Sequence, residues 1–348
     1  MRAVARVPLS TSDVKSHVPS DLPAPYAGLT PDLVLDALDA IGIRGDGRLL
    51  ALNSFENRVY QVWRDDAPPV VAKFYRPARW SDAQIAEEHE LVVELADTGV
   101  PAVPPLAIGG ARLFTHQGFR YAVFARHGGR APELDRDDVL ESLGRYLARL
   151  HTVGAARAFA VRPALTVESF GDESRAFLLE HDFVPADLRE PWSRIVDLAL
   201  ARVRETFATA APFATLRLHG DCHGGNVLWT DSGPHFVDFD DARTGPAVQD
   251  LWMLLSGDRA AMEAQLAVLL RGYRSFRDFD LRELALVEAL RTLRLLHYSA
   301  WIARRWDDPA FPAAFPWFGT ERYWQDRILE LREQVALMDE APLAPADV

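Results

Sequence analysis

Residues 218–241 read LHGDCHGGNVLWTDSGPHFVDFDD. A short apolar entry leads into a loop that is rich in Asp, His and Asn, and the apolar residues Val227 to Trp229 then predict a strand. Turn-forming residues at 231–234 separate this strand from a second one that ends in acids. The pattern predicts one loop and two short strands that bring acidic side chains to one place.

The spacing of two polar residues in this stretch points to phosphoryl transfer. Asp221 precedes Asn226 by five positions, as in the kinase catalytic loop, where the Asp accepts the proton of the substrate hydroxyl and the Asn binds a metal ion. Asp238 ends the second strand, which would bring a further carboxylate to the same place. Magnesium prefers hard oxygen ligands. We therefore predict Asp221 and Asp238 as catalytic residues, with Asn226 and Asp238 as magnesium ligands.

Two other readings of the same loop remain open at this point. His219, Asp221 and His223 alternate in the manner of metallohydrolase ligands. Zinc sites usually gather three or four N, S or O ligands, and His235 is the only further candidate nearby. The third reading is a polar hairpin whose acids are incidental.

Composition limits the class of protein. The chain has 348 residues, enough for two lobes with cores of their own, and 49% of them are hydrophobic. The formal net charge of −12 argues against nucleic acid as a partner, whereas ATP remains compatible because magnesium and a few cations can neutralise it locally. The single cysteine, Cys222, excludes an intrachain disulfide, so we expect a cytoplasmic protein. We also expect the protein to be a monomer. We find no apolar run long enough to span a membrane and no secretory signal, and we interpret residues 1–28 as a loose tail.

The next part of the chain predicts a lobe built on a sheet. Thr30, Pro31 and Asp32 are typical of a helix start, and strands are expected at 49–52, 59–63 and 70–74. The turn at 53–57, NSFEN, would lie over the nucleotide phosphates, where Ser54 would donate a hydrogen bond. Because the turn has no glycines, an ordinary polar turn is an equal alternative.

A lysine and a glutamate are predicted to pair. Lys73 ends the strand VVAKF, which resembles the kinase V-A-I-K strand whose Lys binds the ATP phosphates; the alternative is a solvent-facing Lys on an edge strand. Ser81 opens a capping box, and a helix is expected to run to about Ala96. Glu88 lies on the inward stripe of that helix, so it needs a cation, and Lys73 is the candidate. The alternative places Glu88 at the rim of the helix.

We place the lobe boundary at His127, which gives a nucleotide-binding N-lobe at 29–126 and a mostly helical C-lobe at 127–348 for catalysis and substrate binding. Backbone groups from Val123 to Ala125 would face an adenine edge.

Asp250 is expected to anchor the loop, because a buried Asp needs donors. Residues 306–318 are predicted to be non-helical and packed onto the C-lobe. Several acids were expected to face the cleft and to suit a cationic acceptor: Asp135, which would also cap a helix, and Asp137, Asp138, Asp240 and Asp241.

The motifs HGDCHGGN and FVDFDD resemble the aminoglycoside phosphotransferase and choline kinase superfamily. Within it, five stretches are similar to the stress response kinase A family of bacterial cytosolic serine/threonine protein kinases: NSFENRVY, VAKFYRPARW, LRLHGDCH, GPAVQDLWMLL and RRWDDPAFP. The likeness runs from about Thr30 to Asp339. HGD replaces the kinase HRD and DFD replaces DFG, so control by activation-loop phosphorylation is not expected.

The resemblance implies an α+β, two-lobe protein-kinase-like fold of the aminoglycoside phosphotransferase type, with an antiparallel sheet and a helix in the N-lobe. It implies magnesium and ATP, a Ser or Thr acceptor on a protein, and a role in stress response. The alternatives are a kinase of a small alcohol, such as an amino alcohol or aminoglycoside, and a nucleotide-binding regulator without catalysis. It implies Asp221 as proton acceptor and Asp238 as metal ligand, and the cofactor-binding residues expected are Ser54, Lys73, Glu88 and Asn226.

Overall fold

The structure, a computed structural model, describes residues 24–346. The N-lobe is an antiparallel sheet of five strands in the order β1-β2-β3-β5-β4, with one helix before it and one inserted between β3 and β4. The elements are α1 (Pro31–Asp39), β1 (Leu49–Ala51), β2 (Arg58–Val62), β3 (Val70–Phe74), α2 (Asp82–Asp97), β4 (Phe114–His116) and β5 (Phe119–Ala125).

Strand β3 is central, which decides the environment of Lys73. Lys73 is paired with Val59 of β2 on one side and with Ala122 of β5 on the other. The edge-strand alternative is therefore wrong. The capping box at Ser81 is confirmed, and Glu88 of α2 is buried, so the rim alternative is wrong as well.

The C-lobe is mostly helical and carries two small two-stranded sheets. Its helices are α3 (Asp137–Ala155), α4 (Glu173–Glu180), α5 (Ala186–Ala210), α6 (Val248–Trp252), α7 (Arg259–Arg274), α8 (Val287–Ala303), α9 (Ala310–Ala314) and α10 (Glu321–Met338). Its strands are β6 (Leu216–Leu218), β7 (Val227–Thr230), β8 (Gly233–Phe236) and β9 (Arg243–Gly245). The pairing of β6 with β9 was not foreseen, and it brings the two ends of the 218–241 stretch together.

Packing links the two lobes more closely than the sequence suggested. Leu91, Val92 and Leu95 of α2 belong to the large core of the C-lobe, together with Val100 and Ala102 of the connector that follows. The sheet has a smaller core of its own. Helix α2 therefore contributes Glu88 to the cleft while it is held by the core of the other lobe.

Several boundaries differ from those expected. Helix α5 contains Pro191, a residue that favours a helix start, in its interior. Helix α3 begins at Asp137 with Arg136 at the N-cap, so Asp135 is not the cap. Residues 306–318 contain the short helix α9, because Pro309 stands at its N-cap, where a missing N–H costs nothing.

The predicted tail falls partly outside the described residues, since 1–23 are not described. Residues 24–28 are described, and Tyr26 packs against the core of the sheet and donates a hydrogen bond to the Glu56 carbonyl at 3.0 Å. The expectation of a loose tail is therefore wrong for these residues. No helix between residues 24 and 346 has the length and apolar character needed to cross a bilayer.

Candidate active site

A buried ammonium group lies among three carboxylates where the lobes meet. Lys73 Nζ lies 3.1 Å from Asp238 Oδ1, 3.1 Å from Asp240 Oδ1 and 3.6 Å from Glu88 Oε1. Lys73, Glu88 and Asp240 are buried, whereas the Asp238 side chain is 50% exposed. The structure confirms that Lys73 pairs with Glu88, and it adds two C-lobe acids to the pair. We call these four residues the Lys73 cluster.

The charges of the Lys73 cluster are balanced by two arginines. Arg162 Nη1 lies 3.5 Å from Glu88 Oε2, and Arg79 pairs with Asp240. Burial lowers the pKa of the Lys73 ammonium, but the carboxylates of Asp240, Glu88 and Asp238 outweigh burial and leave the pKa well above its usual value. Burial raises the pKa of Asp240, but Arg79 and Lys73 outweigh it and bring the pKa to about 2. The ammonium and the Asp240 carboxylate therefore both stay charged at neutral pH.

The backbone of Asp238 turns its carboxylate towards the open side of the cleft. Asp238 has φ 60° and ψ 62°, a left-handed conformation that a non-glycine residue adopts at a cost. Phe239, the next residue, is buried with its ring centroid 4.4 Å from that of His219. The Val237 N–H donates to the Asn226 carbonyl at 3.1 Å, which keeps Asp238 beside the loop that carries Asn226.

Asp250 anchors that loop, as predicted. Its carboxylate accepts hydrogen bonds from the backbone N–H of His219 and of Gly220, both at 2.9 Å, and lies 3.2 Å from His151 Nε2. Gly220 has φ 84°, and a Cβ there would lie 2.2 Å from the Asp241 carbonyl oxygen. The close approach of these two backbones explains the glycine in HGD.

The candidate base lies at the end of the anchored turn. Asn226 Nδ2 donates to the Asp221 carbonyl at 2.9 Å, which fixes the four-residue loop between them. Arg294 Nη1 of α8 donates to Asp221 Oδ1 at 2.7 Å. Burial raises the pKa of Asp221, but the hydrogen bond from His223 and the charge of Arg294 outweigh it and bring the pKa to about 2. Asp221 is therefore ionised at neutral pH.

The histidines of the loop have structural partners. His219 Nε2 lies 3.0 Å from the Val237 carbonyl, and His223 Nδ1 accepts a hydrogen bond from the Gly225 N–H at 2.9 Å. Within residues 24–346, no group of three or more His, Cys, Asp or Glu side chains is arranged to hold a metal ion. The arrangement therefore argues against the zinc hydrolase reading of His219, Asp221 and His223.

Cys222 is a small buried residue within the loop. Its side chain is fully buried in the C-lobe core. Burial raises the pKa of the thiol well above its usual value. A protonated, inaccessible thiol is inert towards oxidants, which argues against a redox role.

The turn over the cleft contains Ser54 and is held in place by Glu56, which the sequence did not single out. Ser54 is half-buried in this turn and makes no side-chain hydrogen bond to any described residue. Its neighbour Glu56 lies 2.9 Å from Arg76 Nε and 2.5 Å from Arg305 Nε, and it accepts a hydrogen bond from Trp301 Nε1 at 2.7 Å. We call Glu56 and these three partners the Glu56 cluster. It connects the turn to α8 and the residues that follow α8.

The segment at 306–318 packs onto the C-lobe core, as predicted, and it also contacts the N-lobe. Asp308 accepts hydrogen bonds from Arg76 Nη2 at 2.6 Å and from Arg58 Nη2 at 3.2 Å, both of the N-lobe. The rings of Phe55 and Phe315 are 5.1 Å apart. The RRWDDPAFP motif therefore supplies the C-lobe side of a second contact between the lobes.

Part of the backbone that was predicted to face adenine already makes hydrogen bonds within the protein. The Val123 carbonyl accepts a hydrogen bond from the Leu106 N–H at 2.7 Å, and β5 pairs with β3 along its other edge as far as Ala125. The next backbone pairing of the chain is between Arg130 and Trp229. The segment between Ala125 and Arg130 is therefore better placed to offer backbone groups than Val123.

The acids expected to attract a cationic acceptor do not form a negative surface. Asp240 is bound to Lys73 and Arg79, and Asp241 Oδ1 lies 2.8 Å from Arg79 and 2.6 Å from Arg243. Three further acids lie exposed at or just before the start of α3: Asp135, Asp137 and Asp138. The expectation for Asp240 and Asp241 is therefore wrong, because Arg79, from a distant part of the chain, pairs with both and the nearby Arg243 pairs with Asp241.

Glu56→Gln tests the Glu56 cluster. The amide keeps the shape but removes the carboxylate that pairs with Arg305 and one of the two that pair with Arg76, so we expect a loss of about 3 kcal/mol in the free energy of unfolding, measured by denaturant titration. Glu133→Gln is the matched control, because Glu133 pairs with Arg130 and Arg136 at the surface, where such pairs contribute ~1 kcal/mol or less. Equal losses in the two variants would contradict the role of Glu56.

Comparison with known proteins places the chain in a family. Residues 48–287 match the model of the phosphotransferase enzyme family. The chain is 47% identical to Stress response kinase A of Salmonella choleraesuis strain SC-B67, over 91% of this chain and 96% of that protein. It has the same identity and coverage with the serine/threonine protein kinase RdoA of Salmonella typhimurium strain LT2.

A solved structure of amicoumacin kinase hAmiN, in complex with AMP-PNP, Ca²⁺ and Ami, superposes with a TM-score of 0.66 at 17% identity, over 87% of this chain and 91% of that one. This likeness shows the fold and confirms the expected two-lobe α+β architecture. On the sequence identities and the family match together, the chain belongs to the phosphotransferase enzyme family and, within it, to the stress response kinase A family.

Proposed function

We propose that this protein is a kinase that transfers the γ-phosphoryl group of ATP, with magnesium, to Ser or Thr hydroxyls of proteins in a stress response. The observation that carries the proposal is the loop in which Asp250 anchors the turn and Asn226 holds the ionised Asp221, next to the half-exposed Asp238 and the buried Lys73. This set matches the base, metal ligands and cation that phosphoryl transfer requires. The protein acceptor and the stress role are supported by the names of the relatives.

Asp221 is the proposed proton acceptor. With a pKa of about 2 it is a weak base, and it acts first by accepting a hydrogen bond from the acceptor hydroxyl, which orients the oxygen towards the γ-phosphorus. The new P–O bond forms as the bond to the β-phosphate oxygen breaks, and ADP leaves. The hydroxyl proton passes to Asp221 once the oxygen has become acidic, late in the transfer.

Asn226 and Asp238 fit a magnesium site. The Asn226 amide nitrogen is used by the Asp221 carbonyl, so the amide oxygen remains to bind a cation. Asp238 adds a half-exposed carboxylate. One carboxylate and one amide, completed by phosphate oxygens and water, is a usual environment for magnesium. When bound, the ion would neutralise charge on the β- and γ-phosphates.

The remaining residues bind and orient the nucleotide in this proposal. Lys73 contacts the ATP phosphates, and Glu88 holds the ammonium in place from α2. Ser54 donates to a phosphate from the turn above. The segment between Ala125 and Arg130 receives the adenine edge. We further propose that the protein acts as a cytoplasmic monomer.

Asp221→Asn tests the catalytic assignment. The amide keeps the shape but cannot accept the proton, so we expect transfer of label from γ-labelled ATP into protein to fall by about 100-fold or more, with ATP affinity retained. Phosphate release and incorporated label, measured in the same reaction, give the rate.

The control for this experiment is Asp231→Asn, because Asp231 is exposed in the turn between β7 and β8. It should transfer label at the wild-type rate. Full activity of Asp221→Asn would show that another group is the base. Rapid label entry into choline, ethanolamine or kanamycin, with none in protein, would overturn the protein acceptor and favour a small-alcohol kinase.

The magnesium assignment has its own test. Asn226→Ala and Asp238→Ala should both raise the magnesium concentration that gives half-maximal activity at fixed ATP, and Asp238→Ala should raise it more because it removes a charged ligand. Activity that needs added zinc and no magnesium would contradict this assignment.

A further inference from the structure

Arg294 stands out among the arginines of helix α8 because its carboxylate partner is the candidate base. Its Nη1 donates to Asp221 Oδ1 at 2.7 Å, and its side chain is 39% exposed. Within the described chain, Asp221 is the carboxylate with which Arg294 pairs. A guanidinium carries five N–H donors, and the bond to Asp221 uses one of them, so further donors remain for a ligand that reaches the exposed part of this side chain.

The neighbouring arginine shows the contrast. Arg291, one turn earlier on α8, lies 2.9 Å from Glu288 and places its guanidinium 5.4 Å from the centre of the Trp252 ring. Arg291 is therefore neutralised and held by its own helix and by α6. Among residues 24–346, the carboxylate that pairs with Arg294 belongs instead to Asp221 of the catalytic loop.

We propose that Arg294 selects the acceptor: it favours a Ser or Thr that has a carboxylate one or two residues away, and it disfavours a cationic acceptor. This inference rests on the proposed function. A planar guanidinium binds carboxylates through paired hydrogen bonds, and next to Asp221 it would meet a carboxylate close to the reacting hydroxyl. The same positive charge repels an ammonium group, so an amino alcohol or aminoglycoside is disfavoured.

The rest of the helix face agrees with an extended acceptor. Tyr298 and Trp301 follow Arg294 by four and seven positions, which places all three on one face of α8. Both rings are half-buried and lie stacked with centroids 5.8 Å apart. Since a helix rises ~1.5 Å per residue, Tyr298 lies roughly 6 Å along α8 from Arg294, within reach of the next residue of a bound segment. Trp301 lies further along and is already bonded to Glu56 through its Nε1, so it supports Tyr298 from the side.

The test uses three Ser peptides that differ at the residue after the Ser, which is Glu, Gln or Lys. For the wild-type protein we expect kcat/KM to be roughly tenfold or more higher for the Glu peptide than for the Lys peptide. Arg294→Gln should bring the two values close together, and Arg294→Glu should reverse their order. Arg291→Gln is the matched control and should keep the wild-type preference.

The outcomes separate this inference from the proposed function. Equal wild-type rates for the three peptides would overturn the role of Arg294 while leaving a protein kinase. So would an Arg294→Gln variant that loses the same factor on every peptide, because Arg294 would then act only on Asp221. Failure to label any peptide or protein would overturn the proposed function itself. Unchanged thermal unfolding and ATP affinity of each variant confirm that the fold is intact.

Discussion

The cleft depends on one buried positive charge. An ammonium group is costly to bury unless carboxylates pair with it, and the Lys73 cluster provides three. Glu88 comes from a helix that packs on the C-lobe core, and Asp238 and Asp240 follow β8 of the C-lobe. The sheet of the N-lobe is therefore joined to the C-lobe through its most central strand, at the point where the nucleotide phosphates are proposed to bind.

The three acids differ in what they are free to do. Asp240 and Glu88 are buried and are also held by Arg79 and Arg162, so they keep Lys73 charged and in place. Asp238 is half exposed, and its left-handed backbone directs it outward. In the function that we propose, Asp238 is therefore the acid that leaves Lys73 and binds the metal ion when the nucleotide phosphates bind. The Glu56 cluster forms the second connection between the lobes, from the turn above the cleft to α8 and the residues after it.

Short-range patterns predicted much of this site. The five-residue spacing of Asp221 and Asn226 and the helical period that put Glu88 on the inward stripe each express a local rule, and each side chain lies where that rule placed it. These rules depend on residues that lie within one or two helical turns of each other in the sequence. They therefore identified the groups on the loop and on α2. Asp250 was predicted from the need of a buried Asp for donors, although those donors lie 30 and 31 positions earlier.

The parts that escaped prediction are contacts between distant residues. Arg294 lies 73 positions after Asp221, and Trp301 lies 245 positions after Glu56. Local spacing does not reveal the partner of Arg294 or of Glu56, because many arginines and glutamates occur on surface helices. The same limit explains the wrong expectation that Asp240 and Asp241 face the cleft, because Arg79, which neutralises both, is brought to them only by the fold.

A crystal structure with AMP-PNP and magnesium is the most direct test of the Lys73 cluster as the nucleotide-phosphate site. We expect the Asp238 carboxylate to have left Lys73 and to bind the metal together with Asn226, with Lys73 contacting the phosphates and still paired with Glu88. A nucleotide bound elsewhere, with the Lys73–Asp238 pair intact, would contradict the role that we give to this cluster.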